Sequence, residues 1–233
     1  MRISKYLLPE DTPMTMQIAI RAKDGFVLAS DIKNRITGNP VSSLMYHTKI
    51  ALDRVHEILI CVMGYTADPD ADPGNKLAEY LRGQSVVNRE IIIRWVEEYV
   101  AERMQQQEED NLSLFILHPT ASHDYMWKVR IHEGKVKELP SLKWIAINGN
   151  ENSPAILWPE YFKCEGKHDL KQATKIAALT ILTAGDLNPY GVRGLEIFQY
   201  TSNWQALSES ELDRLTENYE KLKTDLLAFI SAG

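Results

Sequence analysis

The chain has 233 residues, enough for one sizeable core and too few for two comfortable domains. Apolar residues make up 44% and charged residues 25%, an ordinary globular balance that excludes disorder and low complexity. Lys plus Arg number 26 against 32 Asp plus Glu, a formal charge of −6 that argues against a nucleic-acid partner, because phosphate neutralisation needs a basic face. The two cysteines, Cys61 and Cys164, build neither a disulfide framework nor a zinc knuckle, which predicts a reducing, cytoplasmic setting. The longest apolar run, Ile176 to Ala184, falls well short of a membrane span and is broken by two threonines.

In chain order, residues 1 to 14 read as an irregular leader marked by Pro9, Glu10, Asp11 and Pro13, with no apolar secretory core. Met16 to Arg21 alternates apolar and polar residues, and Lys23-Asp24-Gly25 turns into a second apolar run, Phe26 to Ala29, predicting a hairpin. A loop from Asn34 to Ser43 leads to runs at 49–52 and 57–63, so the first 64 residues read as four strands of one antiparallel sheet. Helical spacing follows at 75–82 and 88–107, where Ile92, Trp95, Val96, Tyr99, Val100 and Met104 form a stripe. Strands are predicted at 112–117, 125–131 and 142–147. A helix at 169–183, a strand at 195–200 and a helix at 209–230 follow, the last with Leu212, Leu215, Tyr219, Leu222, Leu226 and Phe229 on one face. This order lacks the strict alternation of a doubly wound parallel sheet. An α+β arrangement in four layers, αββα, with two antiparallel sheets face to face and helices outside each, would bury every stripe.

The opening stretch carries the chemistry. Thr15-Met16-Gln17-Ile18-Ala19-Ile20, followed by Lys23 to Asp31, resembles the first hairpin of proteasome-type subunits, which are N-terminal-nucleophile (Ntn) hydrolases. In that family a threonine opens the first strand and an aspartate follows sixteen positions later, the separation of Thr15 and Asp31. A lysine begins the third strand, matched by Lys49, and a glycine turn ends the fourth, matched by Gly64 in Val62-Met63-Gly64-Tyr65. The resemblance covers the first seventy residues; further on it is an agreement in element order.

The resemblance implies a threonine-type endopeptidase whose residues 1–14 are removed, leaving a single domain at 15–233. A threonine hydroxyl is a weak nucleophile. The freed α-amino group of Thr15, with an ordinary pKa near about 8, would serve as its base. Lys49, as ammonium, would depress that pKa and stabilise alkoxide charge, Asp31 would hold Lys49, and the Gly64 N–H would receive the oxyanion. Lys33, Asn34 and Arg35 would present an edge to an extended peptide. The implied partners are a peptide or unfolded-protein substrate and further copies in a ring or stacked rings, with no cofactor, metal, nucleic acid or membrane. The short leader without an N-terminal helix signature favours the β-type over the α-type.

Three positions depart from the pattern. Met14 stands where a glycine eases self-cleavage, and Gly149, within Asn148-Gly149-Asn150, stands where the family carries a serine. Asp186 is the candidate for the aspartate after the long third helix, but the stretch from it to Gly194 is longer than the pattern and lacks the serine. These departures fit the alternative reading, a catalytically inactive ring or scaffold subunit of the same fold.

Other signals are weaker. Asp68 to Asp72 with Glu79 mimics a calcium loop, but Pro73 occupies the sixth position, where the loop needs glycine, and an acidic approach to a helix N-terminus explains it as well. His118, His123 and Asp124 sit on a loop without paired helical spacing and read as surface histidines. The five tryptophans are scattered and read as core or interface. Cys61 reads as a buried inert thiol, and Cys164 as a loop cysteine with little to activate it.

Overall fold

A computed structural model describes residues 15–36, 43–46, 49–63, 72–103, 111–121, 125–132, 135–139, 143–149, 153–189 and 191–231. Strands β1 (Met16–Arg21) and β2 (Phe26–Ser30) form the expected hairpin. The segment read as a loop instead contributes a two-stranded ribbon, β3 (Lys33–Ile36) with β4 (Ser43–Tyr46). It is hidden from a pattern search because β3 is largely polar, β4 is a short run, and neither alternates apolar with polar residues. Strands β5 (Ile50–Asp53) and β6 (Ile58–Met63) pair with each other but not with β1 or β2. The four expected strands of the first 64 residues therefore belong to two sheets rather than one.

After β6 come helices α1 (Pro73–Arg82) and α2 (Arg89–Arg103), then strands β7 (Asn111–Leu117), β8 (Met126–His132), β9 (Lys135–Leu139) and β10 (Ile145–Gly149). A 3-10 turn at Pro154–Ile156 leads into the short helix α3 (Leu157–Tyr161) and the long helix α4 (Leu170–Leu187). The chain continues through β11 (Glu196–Tyr200), β12 (Trp204–Ala206) and α5 (Glu209–Ser231). One sheet has the order β10-β1-β2-β11-β12 and the other β5-β6-β7-β8-β9, with every pairing antiparallel. Strands β9 and β12 and helix α3 are too short or too polar to stand out in the sequence.

Three apolar layers make this an αββα sandwich. Met16, Ile18 and Ile20 of β1 face α4, which approaches closely because Ala173, Ala177 and Ala184 line its buried side. On the other flank, Ile58, Ile60 and Val62 of β6 meet Leu77 and Leu81 of α1 and Ile92 and Val96 of α2. Between the sheets lie Ala19, Leu28, Leu59, Cys61, Phe115 and Trp204. Strands such as β1 and β6 serve two layers by turning alternate side chains to opposite faces. Asp72 caps α1, its Oδ1 accepting from Gly74 N at 2.7 Å, while Asp68 and Asp70 of the same acidic stretch lie outside the described residues. α5 departs from its expected burial: Leu212 and Leu215 pack on the α4 layer, whereas Leu226, Leu227, Phe229 and Ile230 are exposed.

The sheets are clasped at the β5–β6 turn. Glu57 adopts a left-handed φ of 56°, and two bonds hold it there. Its carboxylate accepts from Trp204 N at 2.8 Å and its carbonyl accepts from the Trp204 indole N–H at 2.8 Å. In the same turn the buried Asp53 carboxylate meets His56 Nδ1 at 2.6 Å. His118, just past β7, sits close enough to feel both. Burial pulls its pKa down and His56 pulls it further, against a smaller opposing effect of Asp53. His123 and Asp124 lie outside the described residues, and among those described no three His, Cys, Asp or Glu side chains group as metal ligands.

An unfolded histidine titrates near about 6.5, so below that pH the unfolded chain binds a proton that folded His118 resists. Stability should therefore fall as pH drops through this range, and His118→Gln should flatten the loss. Melting temperatures of both proteins between pH 7.5 and 5 test this, and parallel curves would rule it out.

Candidate functional site

Thr15 immediately precedes β1, Asp31 immediately follows β2, and Lys49 immediately precedes β5. Because β1 and β2 are antiparallel neighbours, the start of one lies beside the end of the other: Gln17 faces Ser30 in register. Asp31 continues that pairing, donating its backbone N–H to Met16 O at 3.1 Å. β5 opens at the same end of the opposite sheet, and Lys49 reaches across the gap.

Lys49 Nζ donates to Thr15 Oγ1 at 2.9 Å and to Asp31 Oδ2 at 2.7 Å. The other carboxylate oxygen, Asp31 Oδ1, accepts from Met16 N at 2.9 Å. Asp31 is fully buried, Lys49 is 4% exposed and Thr15 is 9% exposed. An ammonium, a carboxylate and a hydroxyl thus share one nearly water-free point, where charge-assisted hydrogen bonds are strong and a lost partner is costly. Asp31 orients the cation and fixes the backbone beside the threonine. Lys49 places positive charge against Oγ1, where alkoxide character would develop during an attack.

A buried polar chain extends the site. Gln17, fully buried on β1, turns towards the other sheet, where its Nε2 donates to Val62 O at 3.1 Å. Its Oε1 accepts from Asn148 Nδ2 at 2.8 Å, and Asn148 Oδ1 accepts from Ser113 Oγ at 2.9 Å. The sequence points to none of Gln17, Ser113 and Asn148 as site residues. A polar residue in an alternating strand reads as solvent-facing, and only the second sheet turns this face inward.

Gly149 has a structural reason to lack a side chain. Its φ is +104°, and a Cβ there would stand 1.9 Å from the carbonyl oxygen of Thr15. The loop after α4 also reaches the rear of the site, where Ile32 N donates to Arg193 O at 3.0 Å. Asp186 takes another place. It lies in the last turn of α4, where its Oδ2 accepts from Tyr219 OH at 2.7 Å and pairs with Lys223 Nζ at 2.7 Å. Burial pushes its pKa up, but the bonds from Lys223 and Tyr219 outweigh this and hold it below the usual carboxylate value. Among the described residues its side chain thus engages α5 and not Thr15.

Gly64 lies outside the described residues, as do the side chains of Lys33, Asn34 and Arg35, whose backbone forms β3. Both thiols are shifted away from reactivity. Burial, with a smaller contribution from Glu196, pushes Cys61 well up, and burial raises Cys164 to about 11.

No protein-family model matches the chain, and no curated protein matches it by sequence. Solved structures do match. Anbu from Yersinia bercovieri, described as an ancestral β-subunit, superimposes with a TM-score of 0.67 at 15% identity, over 92% of this chain and 97% of that one. Anbu from Hyphomicrobium sp. strain MC1 gives 0.66 at 16% identity, over 92% and 97%. Its Gly-1 mutant gives 0.66 at 15%, over 92% and 96%. At this identity the likeness shows the fold, and the fold is the αββα sandwich of the Ntn hydrolases. Among the described residues no helix is long and apolar enough to cross a membrane.

Replacing Lys49 by Met strands a buried carboxylate and should cost about 3–5 kcal/mol. The double variant Lys49→Met/Asp31→Asn should recover much of that loss, because the uncompensated charge is gone. Urea denaturation of the two single variants and the double variant measures the coupling; additive costs would contradict it.

Proposed function

We propose that this chain is a proteasome-like threonine-type peptidase subunit, made as a precursor and cut between Met14 and Thr15. The supporting observation is the position of Lys49 Nζ, within hydrogen-bond distance of both Thr15 Oγ1 and Asp31, with Asp31 fully buried and Thr15 at the partly exposed end of the trio. After the cut, the α-amino group of Thr15 takes the Oγ1 proton as the oxygen attacks a peptide carbonyl carbon. Lys49 stabilises the charge at Oγ1, and the Gly64 N–H donates to the tetrahedral oxyanion. Collapse returns the proton to the departing amine and leaves an ester on Thr15 Oγ1, which water then hydrolyses. Lys33, Asn34 and Arg35 lead away from Asp31 and present the edge along which an extended peptide lies. The working unit is a ring or stacked rings of copies, and the exposed Leu226, Leu227, Phe229 and Ile230 of α5 supply apolar surface for such contacts.

One observation favours a second reading, an inactive ring or scaffold subunit. The tight approach of Gly149 to Thr15 leaves no room for the serine that assists the threonine amine in the resembled family.

Intact-mass measurement separates the two readings. The peptidase should lose residues 1–14, and Thr15→Ala should retain them and hydrolyse no peptide. A purified, assembled protein that keeps its leader and turns over no peptide would support the scaffold instead.

A further inference from the structure

The buried polar chain beside Thr15 closes on itself. It runs from Ser113 of β7 through Asn148 of β10 and Gln17 of β1 to Val62 of β6. The strand pairing of β6 with β7, which sets Met63 against Ser113, completes the circuit. Four strands from both sheets are thus joined at one level of the sandwich, and its side chains are almost wholly excluded from water. Every polar atom in it that is left without its partner would carry a desolvation cost, so the circuit resists sliding of one sheet over the other.

Val62 links this circuit to the site. Its carbonyl accepts from Gln17, and its N–H donates to Lys49 O at 3.0 Å. The backbone that carries Lys49 is therefore separated from the Gln17 amide by a single residue, Val62. Gln17 lies two residues after Thr15 on the same strand face. Thr15 and Lys49 come from different sheets, and this short path ties their backbones together independently of their own side-chain contact.

We propose that Gln17 is a positioning residue, whose amide, oriented by Asn148 and Ser113, sets the inter-sheet spacing that holds Lys49 Nζ on Thr15 Oγ1. Its value for catalysis rests on the peptidase reading above; the geometric role does not. Asn148 fixes which way the amide points, since its Nδ2 must meet Gln17 Oε1 and leave Nε2 for Val62. An apolar side chain of similar size fills the space but cannot hold the Val62 carbonyl.

The experiment is pulsed acylation of the purified full-length protein with an amine-reactive succinimidyl ester, read residue by residue by peptide mass spectrometry. Lys128, 5% exposed on β8, reports on global loosening, as Lys49 reports on the site. In Gln17→Leu, Lys49 should label about fivefold faster or more while Lys128 stays at its wild-type rate. Unchanged Lys49 labelling in a folded variant would overturn the proposal. Should both lysines accelerate, the milder Ser113→Ala decides: faster labelling of Lys49 alone supports the role, and no change removes it. Where peptide turnover is measurable, Gln17→Leu should lower kcat and leave KM nearly unchanged. Absence of turnover in the wild type would remove the peptidase reading and leave the labelling result standing, whereas normal turnover with unchanged labelling would remove Gln17 alone.

Discussion

The geometry of this protein's candidate site depends on one buried ion pair. Lys49 and Asp31 belong to opposite sheets, and neither tolerates its environment alone. A lone ammonium or carboxylate at such depth costs several kcal/mol after relaxation, roughly what breaking a buried pair costs in proteins generally. The pair is therefore weak evidence for stability but strong evidence for specificity of arrangement. It requires the start of β5 to lie over the adjoining start of β1 and end of β2. Once that holds, Thr15 Oγ1 falls within reach of the same ammonium without further design.

The surrounding packing makes this requirement affordable. The apolar layer between the sheets holds them face to face, and it is closed along β5 and β6 by two unlike devices. At the turn end, Glu57 grips Trp204 through backbone and indole donors. At the site end, amide and hydroxyl groups do the joining, with Gln17 on Val62 and Asn148 on Ser113. Apolar contact alone is non-directional and would accept small slips between sheets. Hydrogen bonds between buried groups do not, which is why polar residues stand where the threonine and the lysine must meet.

Much of the architecture is legible in the residues. The alternation from Met16 to Arg21, the Asp24-Gly25 turn, and the helical spacing around Leu77, Val96 and Ile181 each identify an element that the structure contains. The ribbon at Lys33–Ile36 and Ser43–Tyr46 is not legible, because its strands carry no apolar period. The division of the first strands between two sheets is equally hidden. A hairpin of β1 with β2 and another of β5 with β6 look the same from their own sequences whether they join edge to edge or stack face to face. On α5 the stripe is real, yet only its first turns find a core to pack against.

The candidate site divides in the same way. The composition of the trio was legible in the sequence through its resemblance to proteasome-type subunits, which pairs a threonine with an aspartate sixteen positions on and a lysine at the head of a later strand. The sequence by itself determined the local elements, since propensity and periodicity act over a few residues. Only the tertiary structure decided that Asp186 turns to Tyr219 and Lys223, that Gly149 leaves no space beside Thr15, and that Gln17 points inward. Those outcomes depend on which surface another element happens to cover, and such contacts join residues far apart in the chain, Gln17 and Asn148 by 131 positions. No local pattern encodes them, because the free energy that selects them comes from desolvating two distant segments together.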